Sequence, residues 1–399
     1  MITPAYSPTA TERVLPRLAL DFTTAVLDGR VTVTRALDTA TRINSSGFVE
    51  VVNANLPRFD YALNTGGACK GLLIEESRTN ILRNWSDFTA VANWTAVGVS
   101  GGSAPTNTGN TTTAPDGVSN AQIWTFAAPV SGDRSVLSQT VSGLATGYWA
   151  ASAFIKAGRP EDIGKIVSIK ETQGGSYTLV TLTDQWQRAE SINTSAATTH
   201  GMAFELRPAV GTSAGTVQVA IWGAQTEAGA FVTSAIPNTT SSSTVTRNAD
   251  VVSMTGTNFS SWYSSNAGAF QILTTPRTAT GTRPIIQADD TSANNLITLR
   301  QNAADPELYV VSSGSAQAQI DAGTITANTP YKLCGAWDTN NCAAAKDGAA
   351  TVTDLSANIP NPTQLRIGND GANYGNMWLA KINYWPQRIT NAETQAFSK

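Results

Sequence analysis

Apolar and small polar residues alternate along most of this chain, in short segments separated by clusters of Gly, Asn, Asp, Ser and Thr. A period of two residues is typical of a strand that buries one face, and frequent turn residues between such segments are typical of antiparallel sandwiches. Only TNAETQAF (390–397) has a capping threonine and a helical composition. The pattern therefore predicts an all-β protein. The clearest strand segments are RSVLSQTV (134–141), YWAASAFIKA (148–157), GMAFELRP (201–208), GTVQVAIWGAQ (215–225), GAFQILT (268–274), NNLITLR (294–300) and ELYVVSS (307–313).

The length of 399 residues is sufficient for two or three domains. We predict a short N-terminal β region over residues 1–80, a first antiparallel β-sandwich over 81–250 and a second over 251–399. The Ser- and Thr-rich segment IPNTTSSSTVTRNAD (236–250) is typical of the connection between two domains. The N-terminal region contains a predicted hairpin, TRINSSGFVEVV (41–52), but is too small and irregular to form a robust core alone.

Composition argues against several classes of partner. Charged residues make up 14% of the chain and the net charge is −3, so no basic field can hold a phosphate backbone, and nucleic acid is not an expected partner. The apolar runs are far shorter than the about 18 residues of a membrane-spanning helix, so membrane insertion is not expected. Residues 1–22 lack the basic and apolar regions of a secretory signal, which predicts a protein made and used without export.

The cysteines and the acidic loops do not predict a bound metal or cofactor. Cys69, Cys334 and Cys342 lie outside any CxxC or Cys/His pattern, which argues against zinc. Cys334 and Cys342 flank a predicted hairpin, and alternation puts only Cys342 on the face of Trp337, so we predict three free thiols. The loop around Asp370 supplies one carboxylate, whereas calcium usually takes several oxygens and more than one carboxylate.

Two common kinds of hydrolytic site are not predicted either. His200 is the only histidine, and no serine motif of the GxSxG type lies near it, so we expect it to be structural. A glycosidase needs two carboxylates about 5–10 Å apart that face one cleft. Adjacent acids of a strand point to opposite faces, which separates Glu75 from Glu76 and Asp289 from Asp290. The sequence therefore predicts a protein that is not an enzyme.

The segment GLLIEESRTNIL (71–82) carries the most conspicuous cluster of charged side chains. We expect either Glu75 or Glu76 to pair with Arg78, while Asn80 bonds the local backbone as the chain enters the first sandwich. An exposed pair of that sort contributes under about 1 kcal/mol, so its role would be orientation. These four residues are predicted to form the junction between the N-terminal region and the first sandwich.

Exposed aromatic rings are the candidates for ligand binding, because a sugar stacks on a flat ring beside hydrogen-bonding side chains. The chain has ten tryptophans, and Trp222 alternates with Gln218 and Ala224 on the less apolar face of its strand. Trp149, Trp186 and Trp222 are therefore candidate glycan-binding residues. Packing in a sandwich core is the alternative for each of them.

The segment PRFDYALNTGGACKGLLIEESRTNIL (57–82) resembles a segment of tailed-bacteriophage virion proteins that are described as head-spike fibre, tail-fibre or LamG-containing proteins. YWAASAFIKAG (148–158) and residues 219–252 are similar to the carbohydrate-binding-module-like jelly roll that usually follows. NFSSWYSSNAGAF (258–270) and NYWPQRITNAETQAF (383–397) resemble the laminin-G or concanavalin-like sandwich that often closes such proteins. The resemblance covers about residues 30–399.

The resemblance implies a non-enzymatic structural protein of a phage particle, a fibre or capsid decoration, assembled in the host cytoplasm. Residues 1–80 would attach it to other virion proteins of the capsid, collar or tail. The two sandwiches would meet host-surface polysaccharide or neighbouring subunits, and fibres of this kind are commonly homotrimers. Two alternatives stay open: a tail-fibre receptor-binding protein that degrades polysaccharide, and a bacterial glycan-binding module protein, which should carry a signal peptide.

Overall fold

The computed structural model describes residues 15–399, and strands dominate them, which confirms the predicted all-β class. No helix in this part of the chain is long and apolar enough to cross a membrane. Up to residue 250 the strands are β1 Leu18–Asp21, β2 Thr32–Thr34, β3 Ala40–Ile43, β4 Val49–Val52, β5 Phe59–Ala62, β6 Gly66–Ile74, β7 Arg78–Asn80, β8 Thr95–Val99, β9 Ser103–Thr113, β10 Asn120–Ala128, β11 Arg134–Ser142, β12 Gly147–Ala157, β13 Ile166–Glu171, β14 Thr178–Thr181, β15 Gln187–Ser195, β16 Thr199–Leu206, β17 Gly215–Ala228 and β18 Val245–Arg247. The later strands are β19 Val251–Thr255, β20 Gly268–Pro276, β21 Thr282–Asp289, β22 Leu296–Asn302, β23 Asp305–Ser312, β24 Ser315–Asp321, β25 Tyr331–Trp337, β26 Cys342–Lys346, β27 Val352–Asp354, β28 Gln364–Ile367 and β29 Met377–Trp385. The α-helices are α1 Thr257–Ser260 and α2 Asn391–Phe397, and short 3-10 helices occupy Phe22–Thr24, Pro160–Asp162 and Pro208–Val210.

The described chain forms two compact units, which we call the middle unit (Val33–Asp250) and the C-terminal unit (residues 15–32 with Val251–Lys399). The boundary at residue 250 coincides with the predicted one. The boundary predicted at residue 80 does not separate units, because residues 33–80 belong with 81–250 and residues 15–32 belong with 251–399. The physical reason for the second assignment is that β1 pairs antiparallel with β29 and buries Leu18 and Leu20 there.

Two five-stranded antiparallel sheets form the sandwich of the middle unit. One has the order β15-β12-β17-β10-β9 and the other has the order β14-β13-β16-β11-β8. Val217, Val219 and Ile221 of β17 point into the core between the sheets, as the alternation of that strand predicts. The opposite face of the first sheet is also covered, and there Ala220 and Trp222 belong to a second buried cluster. This second core includes Val49, with Ile43 packed against it, so part of the N-terminal region covers the sheet.

The C-terminal unit is also built of antiparallel strands. Strands β27, β26, β25, β20 and β29 neighbour one another in that order, as do β19, β28, β21, β22, β23 and β24. The two layers pack closely, because a Cβ placed on Gly335 of β25 would lie 2.7 Å from Cδ2 of Leu299 in β22. Thr390 caps helix α2 as predicted, in a capping box with Glu393. Phe397 of this helix stacks on Trp385, with ring centroids 4.7 Å apart.

None of the three cysteines forms a disulfide bond, as predicted. In the hairpin β25–β26, Ala336 pairs with Ala343 and Cys334 pairs with Ala345, so Cys342 lies across the turn from Trp337. Cys334 and Cys342 are buried, whereas Cys69 is half-buried. Burial raises the pKa of the Cys334 thiol well above its usual range and raises that of Cys342 to about 11.

We expect one fast-reacting thiol in the native protein at neutral pH and three after unfolding. The thiolate is the reactive form, and the raised pKa values keep Cys334 and Cys342 protonated until the pH is strongly alkaline. A colorimetric thiol titration with and without denaturant measures both numbers. Two or three fast thiols in the native protein would contradict the burial, and fewer than three after unfolding would indicate a disulfide.

Candidate functional site

Glu75 lies in a buried network of charged side chains in the middle unit. Its Oε2 accepts hydrogen bonds from Nη1 of Arg58 at 2.8 Å and from Nη1 of Arg247 at 2.6 Å. The backbone N and Oγ of Ser234 donate to its Oε1 and Oε2 at 2.8 and 2.6 Å. Glu75 and both arginines are buried. The network therefore joins the segment before residue 80 to the end of the same unit.

Asp250 is the second carboxylate of this network. It accepts hydrogen bonds from Nη1 of Arg35 at 2.8 Å, from the backbone N of Glu75 at 3.0 Å and from Nη2 of Arg58. Burial opposes the charge of Arg58, but Asp250 and Glu75 outweigh it and raise the pKa of its guanidinium. Because Arg58 bridges both acids, removing either carboxylate would leave buried positive charge uncompensated.

Glu76, Arg78 and Asn80 have different surroundings. Nε of Arg78 donates to Oε1 of Glu76 at 2.6 Å, and its guanidinium lies 4.7 Å from the ring centroid of Phe231. Glu76 remains 25% exposed, so the two adjacent glutamates point apart and the expected pair with Arg78 is made by Glu76. Asn80 is fully buried, and its hydrogen bonds extend far beyond the local backbone. They join it to Leu82 N, Thr226 N, Ala224 O and Ile236 O.

Trp149, Trp186 and Trp222 are core residues, which corrects their proposed role as an exposed sugar platform. They are 4%, 8% and 4% exposed. Trp222 packs against Trp85 and Phe154, with ring centroids 4.5 and 5.6 Å apart. The face that carries Trp222 is covered by the second core of the middle unit, so its polarity did not indicate exposure. The predicted alternation of Trp222 with Ala224 is wrong, because Gly223 adopts a φ of +68° at a bulge and Ala224 joins the first core with Val217.

His200 is buried and engaged on both ring nitrogens, in line with a structural role. Nδ1 lies 3.2 Å from Oε1 of Glu171, and Nε2 lies 2.9 Å from the carbonyl oxygen of Ala197. The imidazole also stacks on Trp149, with ring centroids 4.4 Å apart. This arrangement places both aromatic rings in the sandwich core.

A polar cleft of about 270 Å³ lies on one face of the C-terminal unit. Strands β21, β22 and β28 are neighbours, and each alternates between a buried apolar face and an outer polar face. Ile297 and Leu299 of β22 point into the core, so Thr298 and Arg300 lie on the outer face. The residues that line the cleft include Gln287, Asp289, Thr291, Arg300, Arg366 and Asp370.

Asp289 is buried at this cleft and is surrounded by hydrogen-bond donors. Its Oδ2 accepts from Nε2 of Gln287 and Nε of Arg366, each at 2.9 Å. Its Oδ1 accepts from the backbone N of Thr291 at 2.9 Å and from Nε2 of Gln364 at 2.5 Å. Four donors occupy the lone pairs of the carboxylate, so Asp289 orients its neighbours and has no capacity to accept from a ligand.

The neighbouring acid, Asp290, points away from Asp289 and shapes the loop that follows. It accepts hydrogen bonds from the backbone N and Oγ of Ser292 and from Nδ2 of Asn295. The bond from the Ser292 side chain is the main cause of the lowered pKa of Asp290. The two adjacent acids are thus separated, as strand alternation predicts.

Two arginines border the cleft, and each is anchored through Nε by a buried carboxylate. Nε of Arg366 donates to Asp289, and Nε of Arg300 donates to Oε1 of Glu307 at 2.5 Å. The Arg300 guanidinium also lies 3.6 Å from the ring centroid of Tyr309. Alternation in NNLITLR could have placed Arg300 on an outer face. The pairing of β21 with β28, which places Arg366 opposite Gln287 and so at the same cleft, had no signal in the sequence.

Thr291 adopts a conformation that β-branched residues rarely take. Its φ is +78°, in the left-handed region. A non-glycine residue held there costs about 1–3 kcal/mol, and such residues cluster at ligand sites. The strained threonine lines the polar cleft, and its backbone N donates to Oδ1 of Asp289.

No protein-family model and no curated protein matches this sequence. Similar solved structures include the CBM40 of Ruminococcus gnavus IT-sialidase bound to α2,3-sialyllactose, at 10% identity and a TM-score of 0.30, covering 34% of this chain and 84% of that one. Domain 4 of AbnA, a GH43 extracellular arabinanase from Geobacillus stearothermophilus in complex with arabinotriose, is 14% identical with a TM-score of 0.30, covering 38% and 73%. The receptor-binding domain of botulinum neurotoxin mosaic serotype C/D is 11% identical with a TM-score of 0.30, covering 37% and 39%. Likenesses this distant do not assign a ligand or an activity.

Proposed function

We propose that this protein is a non-enzymatic, saccharide-binding structural protein of a tailed-bacteriophage particle. The observation that carries the binding role is the cleft of the C-terminal unit, where polar side chains are fixed by buried carboxylates before any ligand arrives. Saccharides present hydroxyl and other oxygen groups in fixed directions. A cleft lined by pre-oriented hydrogen-bond donors therefore binds saccharides without a large loss of side-chain entropy.

Binding without cleavage fits the acids that line this cleft. Asp289 is occupied by four donors, as described above. Asp370 accepts from the backbone N atoms of Ala372 and Asn373 at 2.8 and 2.7 Å, and from Nδ2 of Asn373 at 2.9 Å. A glycosidase needs one acid to protonate the leaving group and a second to act as base or nucleophile. Both acids here serve instead as acceptors that hold their own surroundings.

The phage assignment rests on the resemblance of residues 57–82 to virion proteins. Two charged residues of that segment belong to one buried network, because Arg58 of PRFDY pairs with Glu75 of GLLIEES at 2.8 Å. In this proposal the protein is a homotrimeric fibre or capsid decoration, contacts other virion proteins and is assembled in the host cytoplasm.

The saccharide-binding role is tested with the purified full chain on an array of bacterial capsular and lipopolysaccharide glycans. We expect retention of a subset of glycans and no increase in reducing ends during incubation. Binding to none would overturn the proposed function, and new reducing ends would favour an enzyme.

The phage role is tested separately, by labelling phage particles with an antibody raised against the chain. We expect label on the head or the tail of intact particles, and light scattering of the purified chain should give the mass of a trimer. Particles that stay unlabelled would contradict the virion location, and a monodisperse monomer would contradict the trimer.

A further inference from the structure

The polar cleft of the C-terminal unit offers donors more readily than acceptors. Asp289 has no lone pair left, and Glu307 accepts from both Nε of Arg300 and Nε2 of Gln319, the latter at 3.0 Å. Each of these carboxylates is also neutralised by its own arginine. The remaining acid at the cleft, Asp370, is largely used by its own loop.

The unused hydrogen-bonding capacity lies at the outer ends of the two guanidinium groups. Nε of Arg300 and Nε of Arg366 each donate a hydrogen bond to a buried carboxylate, which fixes the plane of each guanidinium group. Among the described residues, no acceptor is hydrogen-bonded to the Nη atoms of either side chain. Both side chains are partly exposed, at 19% and 22%, and both line the same cleft. A planar group held in this way suits bidentate recognition of an oxyanion.

We infer that the cleft binds an acidic saccharide, and that Arg300 and Arg366 receive its negatively charged oxygen group. The inference rests on the proposed saccharide-binding function and names the ligand class of that site. The charged group is a uronate carboxylate, a sulfate ester or a phosphate ester, since all three present paired oxygens to a guanidinium. The rest of the sugar lies against the hydroxyl-bearing rim of the cleft.

Thr291 supplies an independent reason to place a ligand here. Its backbone N bonds Asp289, while none of the described residues is hydrogen-bonded to its Oγ1. A glycine would adopt a φ of +78° without strain, so stability alone does not account for a threonine at this position. In the inferred complex the Thr291 hydroxyl bonds the sugar beside its charged group.

The test is a glycan array in which each acidic glycan is paired with its uncharged counterpart, a methyl ester for a uronate or the desulfated or dephosphorylated sugar for an ester. We expect the full chain to bind acidic members at least about tenfold more tightly, less so as salt rises. Comparing the uronate, sulfate-ester and phosphate-ester glycans of the array identifies which charged group the cleft binds. Equal binding of the uncharged counterparts would overturn the inference and leave the proposed function standing. Binding to nothing would overturn both.

Two variants connect that binding to the cleft. Arg300→Gln is combined with Glu307→Gln, and Arg366→Gln is combined with Asp289→Asn, so that neither variant leaves a carboxylate buried without its cation. Each should weaken acidic-glycan binding about tenfold or more. Arg134→Gln is the matched control, because Arg134 also donates Nε to a buried glutamate, Glu205, but lies in the middle unit. Wild-type affinity in both folded cleft variants would contradict the inference.

Thr291→Gly tests the cleft without the risk of unfolding. We expect the apparent melting temperature of the C-terminal unit to rise by about 2–4 °C, because the strain is relieved. Binding of the acidic glycan should weaken severalfold at the same time, since the hydroxyl is lost. A more stable variant with unchanged affinity would contradict the inferred contact between Thr291 and the sugar. The strain at Thr291 would then no longer support a ligand at this cleft.

Discussion

Replacing Glu75 by alanine should lower the free energy of unfolding of the middle unit by about 3–5 kcal/mol. The change removes the carboxylate that Arg58 and Arg247 share and leaves them Oγ of Ser234 as their common acceptor. Asp250 would remain hydrogen-bonded to Arg35 and Arg58, whereas the buried Arg247 would keep only neutral acceptors, Oγ of Ser234 and the carbonyl oxygen of Glu76. Urea unfolding followed by tryptophan fluorescence measures the loss. Proteolysis of the variant should begin near residue 80, where the network no longer holds the chain.

The neighbouring glutamate provides the control. Glu76→Ala removes a partly exposed carboxylate from the buried Arg78, which keeps its contact with Phe231, and we expect it to cost about 1–2 kcal/mol, less than Glu75→Ala. Saccharide binding should be unchanged in this variant and in the folded fraction of Glu75→Ala, because neither acid lies at the cleft. Equal losses of stability would contradict the different environments of the two side chains, and lost binding with wild-type stability would place the acids in a functional site.

Replacing Trp222 by alanine should destabilise the middle unit by about 3–5 kcal/mol. The indole is buried between Trp85 and Phe154, and its Nε1 donates to Oγ of Ser119 at 3.2 Å. The cavity left behind cannot collapse easily in an antiparallel sheet that is covered on both faces. Thermal or urea unfolding measures the change, and saccharide affinity per folded molecule should stay at the wild-type value.

Tyr148→Ala is the comparison for this variant. Tyr148 is 56% exposed on strand β12, so its replacement should change stability by no more than about 0.5 kcal/mol. If Trp222→Ala instead kept the wild-type stability and lost saccharide binding, the indole would be a ligand platform after all. The two readouts therefore separate a core role from a binding role.

Local pattern was sufficient for the class of fold and for several individual elements. In NNLITLR, alternation puts Ile297 and Leu299 on one face, and both are buried in strand β22. In TNAETQAF, the threonine and the glutamate three residues later form the capping box of α2. Both features depend on neighbours two to four residues apart. For that reason one sequence contains all the information that they need.

The charged segment GLLIEESRTNIL shows where local pattern stops being sufficient. Alternation predicted that Glu75 and Glu76 point apart, and they do. It also suggested an exposed pair of small energetic value, whereas Glu75 is buried with partners at positions 58, 234 and 247. These partners lie 17 to 172 residues from Glu75, so the residues next to Glu75 do not indicate them. The local sequence also does not distinguish a buried carboxylate from a solvated one.

Residue order alone predicts which faces of most strands are apolar, where the last helix begins and that two adjacent glutamates diverge, because covalent geometry sets side-chain direction within a strand or helix. The segments that cover each remaining face follow from the tertiary fold. A second core buries Trp222 in the middle unit, while the outer face of β21, β22 and β28 carries a cleft whose lining includes Arg300 and Arg366. Both faces look moderately polar in sequence. Burial depends on which distant segment packs against a face, and strand pairing between remote positions settles that.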